Sequence, residues 1–170
     1  METPVSEEWK YLHGRYFDLR HRVIANLLYQ QERQSRLETR EGVVKVLSLV
    51  SGTAALAKIA NPAVVGVAAS IIFIGTAASL VFSWGNKARD ASKRSTEWAA
   101  LENDIDHVGE RNFTEQQVNE WLARCSSIES GEPAPNQALL NICSERATGI
   151  LKGTFNGKRT PNWRPIIFIP

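Results

Sequence analysis

Residues Pro62–Trp84 read PAVVGVAASIIFIGTAASLVFSW, 23 consecutive residues without a charge. A helix rises 1.5 Å per residue, so about 20 such residues span a hydrocarbon layer of roughly 30 Å. Trp84 closes the segment where an interfacial aromatic belongs. Lys87, Arg89, Lys93 and Arg94 follow at once. The alternative is a buried central helix of a soluble bundle. A surface-packed helix of this length would carry a polar stripe, whereas only Ser70, Thr76 and Ser79 interrupt the apolar run before its final Ser83-Trp84.

Working outward, Val43–Ala60 reads VVKVLSLVSGTAALAKIA, a weaker apolar block. Lys45 and Lys58 stand near its two ends with 12 uncharged residues between them. Long lysine stems reach toward opposite interfaces from such positions. Asn61-Pro62 is a turn signal, and so short a connection makes the two blocks an antiparallel pair. The expectation is an all-α protein with a two-helix transmembrane hairpin over 43–84, carried by long cytoplasmic helices. Lys45, Lys58, Trp84, Lys87 and Arg89 are its interface anchors.

Charge gives the orientation. Arg33, Arg36 and Arg40 precede the first block and Lys87, Arg89, Lys93 and Arg94 follow the second, against Lys58 alone near the turn. The positive-inside rule then puts both termini in the cytoplasm. The N-terminal stretch is acidic and polar, without the apolar core of a cleaved signal peptide.

Small residues recur four apart at Ser48/Gly52, Gly66/Ser70 and Gly75/Ser79. Such spacing lets helix backbones approach closely. Gly66, Ser70, Gly75 and Ser79 are therefore the candidate packing face of a homo-oligomer or pore. The alternative is contact within the hairpin itself.

Residues 1–42 form the first polar part. Between 5 and 41 Gly14 is the only glycine and no proline occurs, and Trp9, Leu12, Tyr16, Leu19 and Val23 recur at spacings of three and four. This predicts one long helix with a heptad-like seam, continued by Leu27. In residues 85–151 a second seam appears at Trp98, Leu101, Ile105 and Val108. The two seams are expected to pack together, with Trp9, Tyr16 and Trp98 as core. Gly109 stops that helix. Thr114 and Gln117 have the spacing of a capping box, opening a helix to about Glu129. Ser130–Pro135 is a break, and 136–151 a last helix. The tail, 152–170, holds two glycines and three prolines and ends in Ile166-Ile167-Phe168-Ile169, which reads as extended.

The remaining chemistry is sparse. The 20 basic and 18 acidic side chains nearly balance, which argues against nucleic-acid binding. His13, His21 and His107 are scattered, and Cys125 and Cys143 have no metal-ligand spacing, so two free thiols in a reducing compartment are expected. Glu102, Asp104 and Asp106 read as a solvated cluster. No phosphate loop or nucleophile arrangement appears. No catalytic, cofactor-binding or metal residue is assigned, and no enzyme activity is expected.

The layout of a long Arg-rich amphipathic helix, an apolar hairpin, the charged helix NKARDASKRSTEWAALENDI (86–105) and two shorter helices joined at Glu132-Pro133-Ala134-Pro135 resembles the SLATT family. These are two-transmembrane effector domains associated with bacterial nucleotide-signalling anti-phage systems. The resemblance covers roughly residues 10–151 and rests on architecture. It implies a membrane effector that oligomerises and permeabilises or depolarises a bacterial inner membrane. A cytoplasmic partner protein or nucleotide signal would be the trigger, and the lipid bilayer the target. The other reading is a membrane-anchored scaffold recruiting a soluble partner through its cytoplasmic helices.

Overall fold

A computed structural model describes residues 7–56 and 62–153, with side chains except at 51–64 and 68. The described residues are all-helical: α1 (Glu7–Leu56), α2 (Pro62–Phe82), α3 (Trp84–Val108), α4 (Glu115–Ser130) and α5 (Gln137–Leu151). The tail beyond Gly153, Lys58 and the Asn61 half of the expected turn lie outside them.

The first polar helix and the beginning of the weaker apolar block are one uninterrupted helix. α1 runs 50 residues, about 75 Å at 1.5 Å per residue. Nothing between Glu7 and Leu56 forbids this: no proline occurs, and isolated glycines such as Gly14 and Gly42 lower helix stability without ending it. Glu7 and Glu8 in the first turn favour the helix N-terminus through its dipole.

α3 returns antiparallel to α1. Arg20 Nη2 donates to Asp106 Oδ1 at 2.7 Å at one end, and Glu41 lies against Gly85 at the other. The two seams meet as expected. Tyr16, Leu19, Val23 and Leu27 pack with Trp98, Leu101 and Ile105, and α4 adds Val118, Trp121 and Cys125. Trp98 and Tyr16 are fully buried, but Trp9 is 45% exposed. The seam outruns its partner there, because α3 ends at Val108, opposite the α1 turn near Tyr16 rather than opposite Trp9.

α4 opens with the full capping box: Gln117 N–H donates to Thr114 Oγ1 at 3.3 Å and Thr114 N–H donates to Gln117 Oε1 at 2.9 Å. It runs parallel to α1, with Arg15 donating to Asn119 Oδ1 at 2.8 Å and Arg22 Nε donating to Glu129 Oε1 at 2.6 Å. The break after α4 is fixed from the other side, as the Trp98 indole N–H donates to Glu132 at 3.0 Å and Arg94 donates to the Gly131 carbonyl.

α5 packs on a different face of α1, through Ile24 and Ala25 against Ala147 and Tyr29 against Leu139 and Cys143. Asn136 caps α5 by accepting from Leu139 N–H, and its own N–H donates to Tyr29 Oη at 3.0 Å. His21 Nε2 lies 3.1 Å from the Ser144 carbonyl oxygen. That oxygen can only accept, so Nε2 carries the hydrogen. The four-helix body thus occupies one end of α1 and leaves the apolar end outside it.

Candidate membrane-spanning segment and its polar boundary

Among the described residues one helical segment, Val65–Phe82, is long and apolar enough to cross a membrane. Its mean hydropathy is 2.2 and none of it is buried inside the protein. Phe73, Leu80 and Val81 are 75%, 74% and 77% exposed. A core helix of a soluble bundle would have these side chains covered. The neighbouring stretch of α1 is also uncovered, with Val43, Val46, Leu47, Leu49 and Val50 all more than half exposed.

α2 packs along this part of α1 on one side only. A Cβ placed on Gly75 would touch Val44 Cγ1 at 3.4 Å, ordinary van der Waals contact, whereas one on Gly66 would meet nothing within 4 Å. The four small residues therefore do not stand in one environment. Gly75 lies against α1, Ser79 is half-buried, and Gly66 and Ser70 are exposed. The Ser70 hydroxyl donates back to the Gly66 carbonyl at 2.9 Å, a bond that lets a hydroxyl sit in an apolar helix without an outside partner.

The polar boundary is more structured than the sequence suggested. α2 and α3 are not one continuous helix: Ser83 between them takes the left-handed conformation, φ 48 and ψ 42. It is the single non-glycine residue with positive φ among those described, and Cβ makes that conformation cost about 1–2 kcal/mol. The break is braced by Ser83 Oγ–H donating to the Leu80 carbonyl at 3.2 Å and by parallel stacking of Phe82 on Trp84, centroids 5.5 Å apart. Directly beyond, the Glu41 carboxylate approaches Gly85 so closely that a Cβ there would stand 2.7 Å from Oε2. Glu41 also accepts an ion pair from Lys45 at 2.7 Å. A carboxylate facing the first turn of α3 meets the positive end of its helix dipole. Lys45, Lys87 and Arg89 are exposed around this joint and Trp84 is half-buried in it. Ser83 and Glu41 carry no pattern a sequence reading could single out, since both depend on where α3 returns.

Away from this end the titratable groups are structural. Burial pushes the Cys125 thiol up to about 11 and raises Cys143 as well; both are free and buried. Burial raises Tyr16, and burial together with Asp106 raises Glu102. The hydrogen bonds that Arg22 donates to the Glu129 carboxylate raise Arg22. In the acidic cluster Asp104 and Asp106 are exposed, as expected, and each also pairs across helices, Asp104 with Arg124 and Asp106 with Arg20. An open groove of about 560 Å³ between α3 and α4 is lined by Asp90, Lys93, Arg94, Glu97 and Arg124 among others, with charges of both signs. Among the described residues no group of three or more His, Cys, Asp or Glu is placed to hold a metal ion.

No family model, curated protein or solved structure matches this chain.

Proposed function

We propose that this protein is an integral membrane effector: α2 and the apolar end of α1 form a two-helix hairpin in a bacterial inner membrane, with the four-helix body and both termini in the cytoplasm. On a cytoplasmic signal, several copies assemble and permeabilise or depolarise the bilayer, as the resemblance to SLATT domains implies. The observation that carries the reading is the 21-residue α2. It is about 31 Å long, its 18-residue apolar window has a mean hydropathy of 2.2, and none of that window is buried. An uncovered apolar surface of that size is unstable in water and stable in lipid. The exposed valines and leucines of α1 from Val43 to Val50, with Lys45 at their base, extend the same surface. Two helices enclose no interior, so a conducting path requires several hairpins.

Induced expression of the full chain with a membrane-potential dye tests the proposal. The chain should sediment with membranes, resist extraction by alkaline carbonate and depolarise the cell. Recovery in the soluble fraction without detergent would overturn the membrane reading. Stable membrane insertion with an unchanged potential would overturn the effector reading and support the scaffold. One observation favours that second reading: an aromatic ridge at the far end of α1, Trp9 against His13 (centroids 4.4 Å) and His13 stacked on Phe17 (4.9 Å), with Trp9 and Phe17 exposed. Exposed tryptophans of this kind anchor protein partners.

A further inference from the structure

In the four-helix body five arginines are engaged across helices: Arg15, Arg20, Arg22, Arg124 and Arg146 each reach a carboxylate on another helix. On the first three turns of α3 the pattern reverses. Lys87, Arg89 and Lys93 are exposed, and no ion pair joins any of them to a carboxylate among the described residues. Asp90 is the one acidic residue between Trp84 and Arg94.

Their depth is set by the helix. Lys87, Arg89 and Lys93 lie three, five and nine residues past Trp84, or about 4.5, 7.5 and 13.5 Å along α3. With Trp84 at the edge of the hydrocarbon, the headgroup layer on that side is about 5–7 Å thick. Lys87 and Arg89 then stand at the level of lipid phosphates. Lys93 stands within about one Debye length of them at physiological salt. Ala88 and Ala91 are the buried residues of this stretch, so Lys87 and Arg89 flank the packed face and stay open to the surrounding leaflet, while Lys93 stands at the edge of the groove toward α4 with Asp90 and Glu97.

We infer that Lys87, Arg89 and Lys93 form a recognition surface for anionic phospholipid headgroups, so that the protein selects acidic over zwitterionic lipid in its own annulus. The inference rests on the membrane reading of α2. Each basic residue near an anionic surface contributes a roughly fivefold preference when fully engaged. With Lys93 beyond the headgroup layer and Asp90 offsetting one of the two cations within it, the net selectivity at low salt should be about three- to tenfold.

The test uses the full chain with Trp163→Phe, reconstituted into mixed phosphatidylcholine and phosphatidylglycerol vesicles in which one or the other lipid is brominated on its acyl chains. Trp84 then reports its neighbours by quenching, since Trp98 lies about 21 Å farther along α3. Brominated phosphatidylglycerol should quench as though about three- to tenfold enriched at about 0.05 M salt. The enrichment should shrink toward parity near 0.5 M salt, and toward parity in a Lys87→Gln, Arg89→Gln, Lys93→Gln variant. Equal quenching by both lipids at low salt, or a preference that survives the triple substitution, overturns the inference while leaving the membrane reading intact. Absence of quenching by either lipid overturns the membrane reading and the recognition surface with it.

Discussion

Cys125 and Cys143 sit on the inward faces of α4 and α5, and that placement decides their chemistry. A thiolate is the reactive form, and burial holds the Cys125 thiol at about 11. In the native protein both should resist alkylation at pH 8 and react only after unfolding; rapid native-state labelling would mean that α4 or α5 opens locally. The same shift has a stability consequence. The folded thiol is raised above its unfolded value of 9.0, so its contribution is complete below pH 9 and is lost as pH rises toward about 11. A Cys125→Ala variant should therefore lose less stability over that window than the parent, by up to about 2 kcal/mol, measured by urea unfolding at each pH. Gln30 is the opposite case: a fully buried side chain on the α1 seam whose amide oxygen and nitrogen find no partner among the described residues. An unmade hydrogen bond on a buried amide costs about 1–3 kcal/mol. Gln30→Leu should raise the unfolding midpoint accordingly, and an unchanged or lowered midpoint would show that the amide is satisfied in solution.

At the scale of elements, α1 and α2 make the apolar pair and Ser83 makes the joint to α3. Gly75→Leu drives a side chain into Val44, so it should loosen the pairing of α2 with α1. Gly66→Leu meets open space and should leave that pairing intact. If Gly66 packs between copies, its substitution should abolish crosslinked oligomers and depolarisation without affecting insertion. A cysteine pair engineered across α1 and α2 reports the first effect, and crosslinking of the whole protein the second. Equal behaviour of the two variants would show that their different surroundings do not matter. Ser83 holds its left-handed conformation against the Cβ penalty, so Ser83→Gly should stabilise the fold by about 0.5–1 kcal/mol. Ser83→Val should destabilise it by more, because a β-branched residue fits that region poorly. Thermal unfolding in detergent distinguishes them.

At the scale of the whole molecule, the described residues form a long helix with a packed body at one end and an exposed apolar pair at the other. Topology is tested at this scale. Cys125 cannot report it, being inaccessible from either side. An exposed position one residue on, Ser126→Cys in a Cys125→Ser, Cys143→Ser background, can. With the body in the cytoplasm, an impermeant maleimide should leave it unlabelled in intact spheroplasts and label it after lysis. Labelling before lysis would invert the orientation drawn from the basic flanks.

Much of the architecture was legible in the chain because it is written in local terms. Apolar spacing at three and four marked both seams from Tyr16 to Leu27 and from Trp98 to Ile105. The Thr114–Gln117 box marked the start of α4, and an uncharged run marked α2. Each of these signals acts within a few residues, so the sequence alone determined them. What it left undecided depended on which surfaces meet. Trp9 follows the seam pattern yet is exposed, since whether a seam residue is covered depends on the length of the opposing helix. Asp104 and Asp106 are solvated as their sequence suggests, but the arginines that reach them come from α4 and α1. Gly66 and Gly75 are identical by spacing, and only the position of Val44 separates them. The Ser83 joint, the Glu41 contact at Gly85 and the buried Gln30 follow from the return of α3 along α1. No residue encodes that path singly, because packing of side chains distant in sequence fixes it.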